Sequence, residues 1–280
     1  MKTLIIHALF LLNLAQAEDK IKLTQKDVTF YGTGKVSRYQ QKSNDELVMM
    51  RPLFFAEIFI KEGGLVKNAS ITSPGKNGEK IRLSYRYSES DEIGDVMYLS
   101  SIFESFESLE DEFPMGEYKF SFETSEGIVN NSIVSYQDNA FPPHPIIILI
   151  QDDTEIETHE VDTSKDLLIT WPDFSTGRPD KNNILDDPIF VAIDSCNIED
   201  IFHSGRPFEK NGYLSFEASS YLIPANGLEP GQKYEMYVEH AIFTDTQIDH
   251  GIPGFATLAS STYMSFNTLG DNDPSYCLEK

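Results

Sequence analysis

The chain has 280 residues, 45 acidic against 22 basic, and a net charge of −23 at pH 7. Such a surface repels nucleic acid and anionic membrane, which excludes both as partners, and it favours solubility and basic or divalent partners. Two cysteines allow one disulfide at most.

The chain opens MKTLIIHALFLLNLAQA. Lys2, an apolar stretch over 4–14 and the small-x-small Ala15-Gln16-Ala17 form a secretory signal peptide cleaved after Ala17. The stretch is short of the roughly 20 apolar residues a membrane span needs. No cysteine stands directly after the cleavage site and no second long apolar run appears. A secreted protein, extracellular or periplasmic, without a membrane anchor is expected. What remains suits about two domains of roughly 100–150 residues.

In the first half, LFFAEIFI sets Phe54, Ala56, Ile58 and Ile60 at period two. KIRLSYRY sets Ile81, Leu83, Tyr85 and Tyr87 on one face of a strand, with a turn at 73–78 before it. FESFESLEDEF places Phe103, Phe106, Leu109 and Phe113 near helical spacing, and Pro114 and Gly116 end it. GEYKFSFE alternates Tyr118, Phe120 and Phe122. Tyr31-Gly32-Thr33-Gly34-Lys35 lacks a third glycine and strand–helix context, and reads as a hairpin turn rather than a phosphate loop. The expected fold is all-β, two β-sandwich domains in tandem, the first with a short helical insertion.

The composition changes at QDNAFPPHPI, where Pro142, Pro143 and Pro145 deny the backbone three donors. The expected organisation is a signal peptide over 1–17, an N-terminal sandwich-like domain over 18–140, a Pro-rich linker over 141–145, a second sandwich over 146–268 and a tail over 269–280. In the second half Ile146 to Ile150 is a continuous apolar run. DLLITW puts Leu167, Ile169 and Trp171 on one face, and Leu168 and Thr170 on the other. DPIFVAID, SSYLIPANGL, KYEMYVEHAIF and STYMSFNT follow as strands between turn signals. LEPGQKY carries a tyrosine corner: Leu228 plugs the core, Pro230-Gly231 turns the chain, and the Tyr234 hydroxyl bonds back to nearby backbone.

With LLITW as strand B and the tyrosine corner opening strand F, residues 145–268 resemble a fibronectin type III domain. The resemblance implies an interaction or spacer module. The long loop 172–187 and the segment TDTQIDHGIPGFA depart from the family and leave a related immunoglobulin-like topology open.

No catalytic constellation emerges. His144, His159, His203, His240 and His250 make no HxH or HExxH pattern, and His240 falls on the inward register of its strand. No GxSxG elbow is present, and abundant carboxylates form no cleft pair of the glycosidase kind. Asp180, Asn182, Asn183, Asp186 and Asp187 cluster in one loop, and Asp271, Asn272 and Asp273 in another. The first is a weak calcium candidate that lacks EF-hand spacing, and no cofactor is otherwise expected. Tyr237 points outward, and Phe190 and Tyr263 join it if the strand registers align; such an aromatic row suits a protein or glycan surface. A Cys196–Cys277 bridge would close a loop of about 80 residues, worth roughly 4–5 kcal/mol at most; two unpaired thiols are the alternative. Asn68 and Asn130 begin acceptor triplets for glycosylation in a eukaryote. The expected function is non-enzymatic surface binding in adhesion, envelope or matrix. The alternative is a carbohydrate-binding accessory protein, calcium-stabilised or, less favoured, a glycan hydrolase.

Overall fold

The computed structural model describes residues 25–44, 46–75, 78–87, 95–137, 140–195, 201–209 and 212–271. Residues 1–17, Cys196 and Cys277 lie outside them, so the expected signal peptide and the candidate Cys196–Cys277 pairing fall outside the described residues.

The first half contributes β1 (Val28–Ser43), β2 (Glu46–Met49), β3 (Leu53–Ile60), β4 (Val66–Thr72), β5 (Lys80–Arg82), β6 (Ser84–Arg86), β7 (Asp95–Ile102), α1 (Phe106–Glu112), β8 (Gly116–Thr124) and β9 (Gly127–Tyr136). The second half adds β10 (Ile148–Gln151), β11 (Thr154–Ile156), β12 (Leu167–Thr170), β13 (Pro188–Ser195), β14 (Phe202–His203), β15 (Leu214–Ser215), β16 (Ser220–Ile223), β17 (Lys233–Gln247) and β18 (Gly254–Asn267). The fold is an all-β sandwich with one short α-helix among the described residues.

Two sandwiches with separate cores are present, and one sheet runs through both. Its order is β14-β13-β17-β18-β1-β3-β7-β6, with β15 on β13 and β2 on β1. The junction is a parallel ladder between β1 and β18, from Tyr31 opposite Gly254 to Gln40 opposite Tyr263. A four-stranded sheet β5-β4-β8-β9 covers the first half, and β11-β10-β12-β16 covers the second.

The alternation read in LFFAEIFI is realised: Phe54, Ala56, Ile58 and Ile60 enter the first core with Tyr118, Phe120 and Phe122. Ile252, Ala256 and Leu258 enter the same core. The first sandwich is thus completed by the far end of the β17–β18 hairpin. The segment TDTQIDHGIPGFA that departs from type III pattern is mostly strand: β17 runs on to Gln247, a 3-10 turn spans Asp249–Gly251, and β18 begins at Gly254.

Two readings are corrected. Gly32 and Gly34 lie inside β1, not in a hairpin turn. Their missing side chains make room for rings: a Cβ on Gly32 would stand 2.9 Å from Phe255, and one on Gly34 would overlap Phe55. KIRLSYRY is not one strand, because β5 pairs with β4 while β6 pairs with β7 in the other sheet. The chain crosses between sheets at buried Leu83, so Tyr85 and Tyr87 come out exposed at 57% and 68%.

Ser105 caps α1 in a box with Ser108. Leu109 and Phe113 are buried, while Phe106 packs edge-on against Phe141 at 5.2 Å. The proline-rich stretch docks on the shared sheet. Ser260 Oγ donates to the Pro142 carbonyl at 2.6 Å, and His240 Nδ1 lies 3.0 Å from that of Pro143. Gln41 bonds both backbone groups of Ile147 at 2.8 Å.

In the second sandwich, β11, β10, β12 and β16 face β14, β13, β17 and β18. The tyrosine corner closes as read: Tyr234 Oη accepts the Glu229 N–H at 2.8 Å, and Leu228 is buried. Trp171 lies in this core and donates Nε1–H to the Ala218 carbonyl at 3.2 Å. In the first sandwich Tyr118 is likewise buried, and its hydroxyl donates to the Pro114 carbonyl at 2.7 Å.

Candidate functional site

The register of the shared sheet decides which side chains meet on its outer face, away from both cores. Tyr237 of β17 pairs with Tyr263 of β18, and Glu239 pairs with Ser261 and with Phe190 of β13. Through the parallel junction Ser261 lies opposite Arg38. Glu57 of β3 lies opposite Gly32 on one side and Tyr98 of β7 on the other. These residues share one face because side chains on paired strands alternate in step.

The three aromatics expected to form a row do share this face. The Tyr237 and Tyr263 rings stand 5.5 Å apart, and Phe190 stands 6.2 Å from the His203 ring. All three are half-buried. The Arg38 guanidinium lies 4.9 Å from the Tyr263 centroid, that of Arg86 lies 5.8 Å from Tyr98, and that of Arg206 lies 5.4 Å from Phe59. Beyond them the face is roofed. Leu185 joins Phe30, Phe59, Phe243 and Phe255 in a cluster against which Ile184, Phe208 and Tyr213 pack.

Two carboxyls sit in this environment. Loss of water pushes Glu57 up to about 7, against the pull of Arg206 and with a further push from Glu239. Loss of water also pushes Glu239 up to about 7, opposed by a hydrogen bond from Ser261 Oγ and by Arg38. Burial raises Tyr98 and Tyr263 as well. Burial first, then Arg206, pushes His203 down to about 3, so its imidazole is neutral. The face therefore holds two carboxyls whose pKa values are raised, guanidinium donors and tyrosine rings. That set can stack a flat polar group and hydrogen-bond its edge.

Sequence reading found the tyrosines but missed Glu57, Glu239 and Arg38. A signal was present: Glu57 interrupts the apolar run LFFAEIFI, and Glu239 interrupts YVEHAIF. A charge facing a strongly apolar strand neighbourhood marks a desolvated position.

In the 172–187 loop the carboxylates of Asp180 and Asp187 are engaged in hydrogen bonds within the chain. Asp180 accepts N–H groups from Ile184 and Leu185 at 2.8 and 2.7 Å, and Thr246 Oγ1 donates to it at 2.9 Å. Asn182 donates to the Thr246 carbonyl at 2.7 Å. Asp187 accepts the N–H of Phe243 at 2.8 Å and of Arg178 at 3.1 Å, and desolvation pushes it up to about 6. The Asp186 N–H donates to Tyr213 Oη at 2.9 Å. These bonds fasten the loop to β17. Among the described residues no group of three His, Cys, Asp or Glu side chains is placed to hold a metal.

His240 is packed, 2% exposed and stacked on Phe174 at 4.3 Å, and desolvation pushes it down to about 4. Lys35 is fully buried on the inner face of β1, with Nζ 2.5 Å from Glu110 Oε1 and 4.9 Å from the Tyr136 centroid. Desolvation lowers its pKa and Glu110 pulls it back up. No described helix is long and apolar enough to cross a membrane.

No family model matches this chain, and no curated protein matches it. Solved structures to which it is similar include the FN1-FN3 domains of chicken CNTN1, at 10% identity and a TM-score of 0.24, over 83% of this chain and 63% of that one. Another is the BSP domain of a biofilm associated protein, at 10% identity and a TM-score of 0.21, over 84% of this chain and 29% of that one. The chain thus spans less than two thirds of either.

Proposed function

We propose that this chain is an exported, non-enzymatic β-sandwich protein that acts through surface binding, as an adhesion, envelope or matrix component. The supporting observation is the outer face of the shared sheet, where Tyr237, Tyr263 and Phe190 gather with Arg38 and Tyr98. Aromatic rings and arginine on a rigid sheet are the residue types that carry binding energy at interfaces. Export rests on the leader MKTLIIHALFLLNLAQA.

A second reading, a carbohydrate-binding accessory protein or a glycan hydrolase, is supported by Glu57 and Glu239 beside those tyrosines. A glycan array probed with and without calcium, beside a panel of immobilised envelope and matrix proteins, separates the two. Our reading expects protein binding that Tyr237→Ala weakens and an array without signal. Sugar binding lost in Tyr237→Ala, or sugar release that Glu239→Gln abolishes, replaces it with the second.

A further inference from the structure

Three strands of the second sandwich carry a segment that is apolar on both sides: Ile148 to Ile150 of β10, Leu167-Leu168-Ile169 of β12 and Tyr221-Leu222-Ile223 of β16. An antiparallel strand with one face in water alternates, whereas a continuous apolar run belongs to a strand covered twice. The inner side chains, among them Leu149, Ile169 and Ile223, are used in the core. The outer ones form a ladder, with Ile150 opposite Leu168 and Leu168 opposite Leu222. Leu222 is 53% exposed, and the ladder belongs to none of the four buried clusters.

Beside the ladder lies an open surface groove of about 500 Å³, with Ile150, Leu168 and Ala225 among its lining and Asp152, Asp153, Asp166 and Lys165 as its charged groups. Lys165 is engaged within the chain, its Nζ 2.8 Å from Asp152 and 4.0 Å from Asp162. Asp166 Oδ1 accepts the Ala225 N–H at 2.8 Å. Glu155 of β11, opposite Ile150, adds another carboxylate at the border. Carboxylates thus outnumber the single ammonium around an apolar floor.

We propose that this face docks a protein segment combining aliphatic and basic side chains. Its aliphatic groups cover Ile150, Leu168 and Leu222, and a lysine or arginine reaches the carboxylates of Asp153 and Asp166. A second copy of this chain fits poorly, because a two-fold contact sets the same acidic rim against itself in a chain of net charge −23. The inference rests on the reading of the chain as a binding protein, but assigns a surface other than the Tyr237 face.

The probe is a short synthetic peptide of alternating leucine and lysine, with leucine–glutamate and serine–lysine peptides of equal length as controls. It is titrated into the mature chain at about 0.15 M salt, where long-range attraction is screened, and followed by methyl NMR. Expected are shifts at the Ile150, Leu168 and Leu222 methyls, and no binding by either control. Leu222→Ser and the double variant Asp153→Asn, Asp166→Asn each weaken binding by about tenfold or more, while Tyr237→Ala leaves it unchanged. Leu222 is already exposed, so its substitution spares the core. No binding by the leucine–lysine peptide, equal binding by serine–lysine, shifts confined to the Tyr237 face, or a dimer that Leu222→Ser dissolves would each overturn the inference. If these occur while Tyr237-dependent protein binding persists, the proposed function stands and only this surface is lost.

Discussion

Gly34 of β1 lies directly beneath the ring of Phe55 of β3, where a Cβ would overlap the ring and stand 3.0 Å from Thr257 Oγ1. The glycine lets three strands from opposite ends of the chain close on one aromatic ring. Gly34→Ala forces that ring aside, an overpacking that costs about 1–3 kcal/mol. In a Phe55→Ala background the same substitution costs distinctly less. Chemical denaturation of the four proteins measures the coupling, and additive losses would contradict the contact.

Lys35 and Glu110 tie β1 to α1 through a half-solvated ion pair. Glu110→Gln leaves a buried ammonium with weaker support and costs about 1–3 kcal/mol, less than a fully buried pair because Glu110 keeps contact with water. Lys35→Met replaces the charge with an apolar chain of similar length and costs less than Glu110→Gln. Thermal melts rank the two variants, and the reverse ranking would refute this account.

Glu57, Glu239 and Asp187 all have folded pKa values raised by lost water, to about 7, 7 and 6. The folded state therefore binds protons more tightly than the unfolded one. The stability these groups contribute is complete below the unfolded carboxylate range and is lost as pH rises through the folded values. His240 and His203, lowered to about 4 and 3, act oppositely, and their contribution fades as pH falls below about 6.5. Between pH 6 and 8 the carboxyls dominate, so Tm falls as pH rises. Glu57→Gln and Glu239→Gln flatten that slope; an unchanged slope in both would show that these positions are not desolvated.

Tyr234→Phe keeps the ring and removes the oxygen that accepts the Glu229 N–H. An unmade bond of this kind costs about 1–3 kcal/mol. Tyr118→Phe does the same to the Pro114 carbonyl in the first sandwich. Both losses appear as shifts in denaturation midpoint with unchanged slope, and a neutral Tyr234→Phe would remove the corner from the account.

The second sandwich was legible because its signals are local: Trp171 on an alternating strand, and Leu228 and Tyr234 about one turn. The union of the halves was not, because β1 and β18 are separated by most of the chain and parallel pairing leaves no hairpin in the sequence. The same distance hid the meeting of Glu57 and Glu239, which only a register across several strands brings to one face. The split of KIRLSYRY was hidden for a different reason. Its parity is perfect for one strand, and the crossing at Leu83 is imposed by the two sheets, not by the residues themselves. Tyr237, Phe190 and Tyr263 stood between these cases: their outward parity could be read, while their neighbours could not.

The most direct test of the central claim, that the outer face of the shared sheet is a binding surface, is the affinity of the chain for whichever member of the envelope and matrix protein panel it binds, before and after Tyr237→Ala. The account predicts a loss of about tenfold or more with an unchanged melting curve, since Tyr237 lies outside both cores. Equal affinity of the two proteins would contradict it.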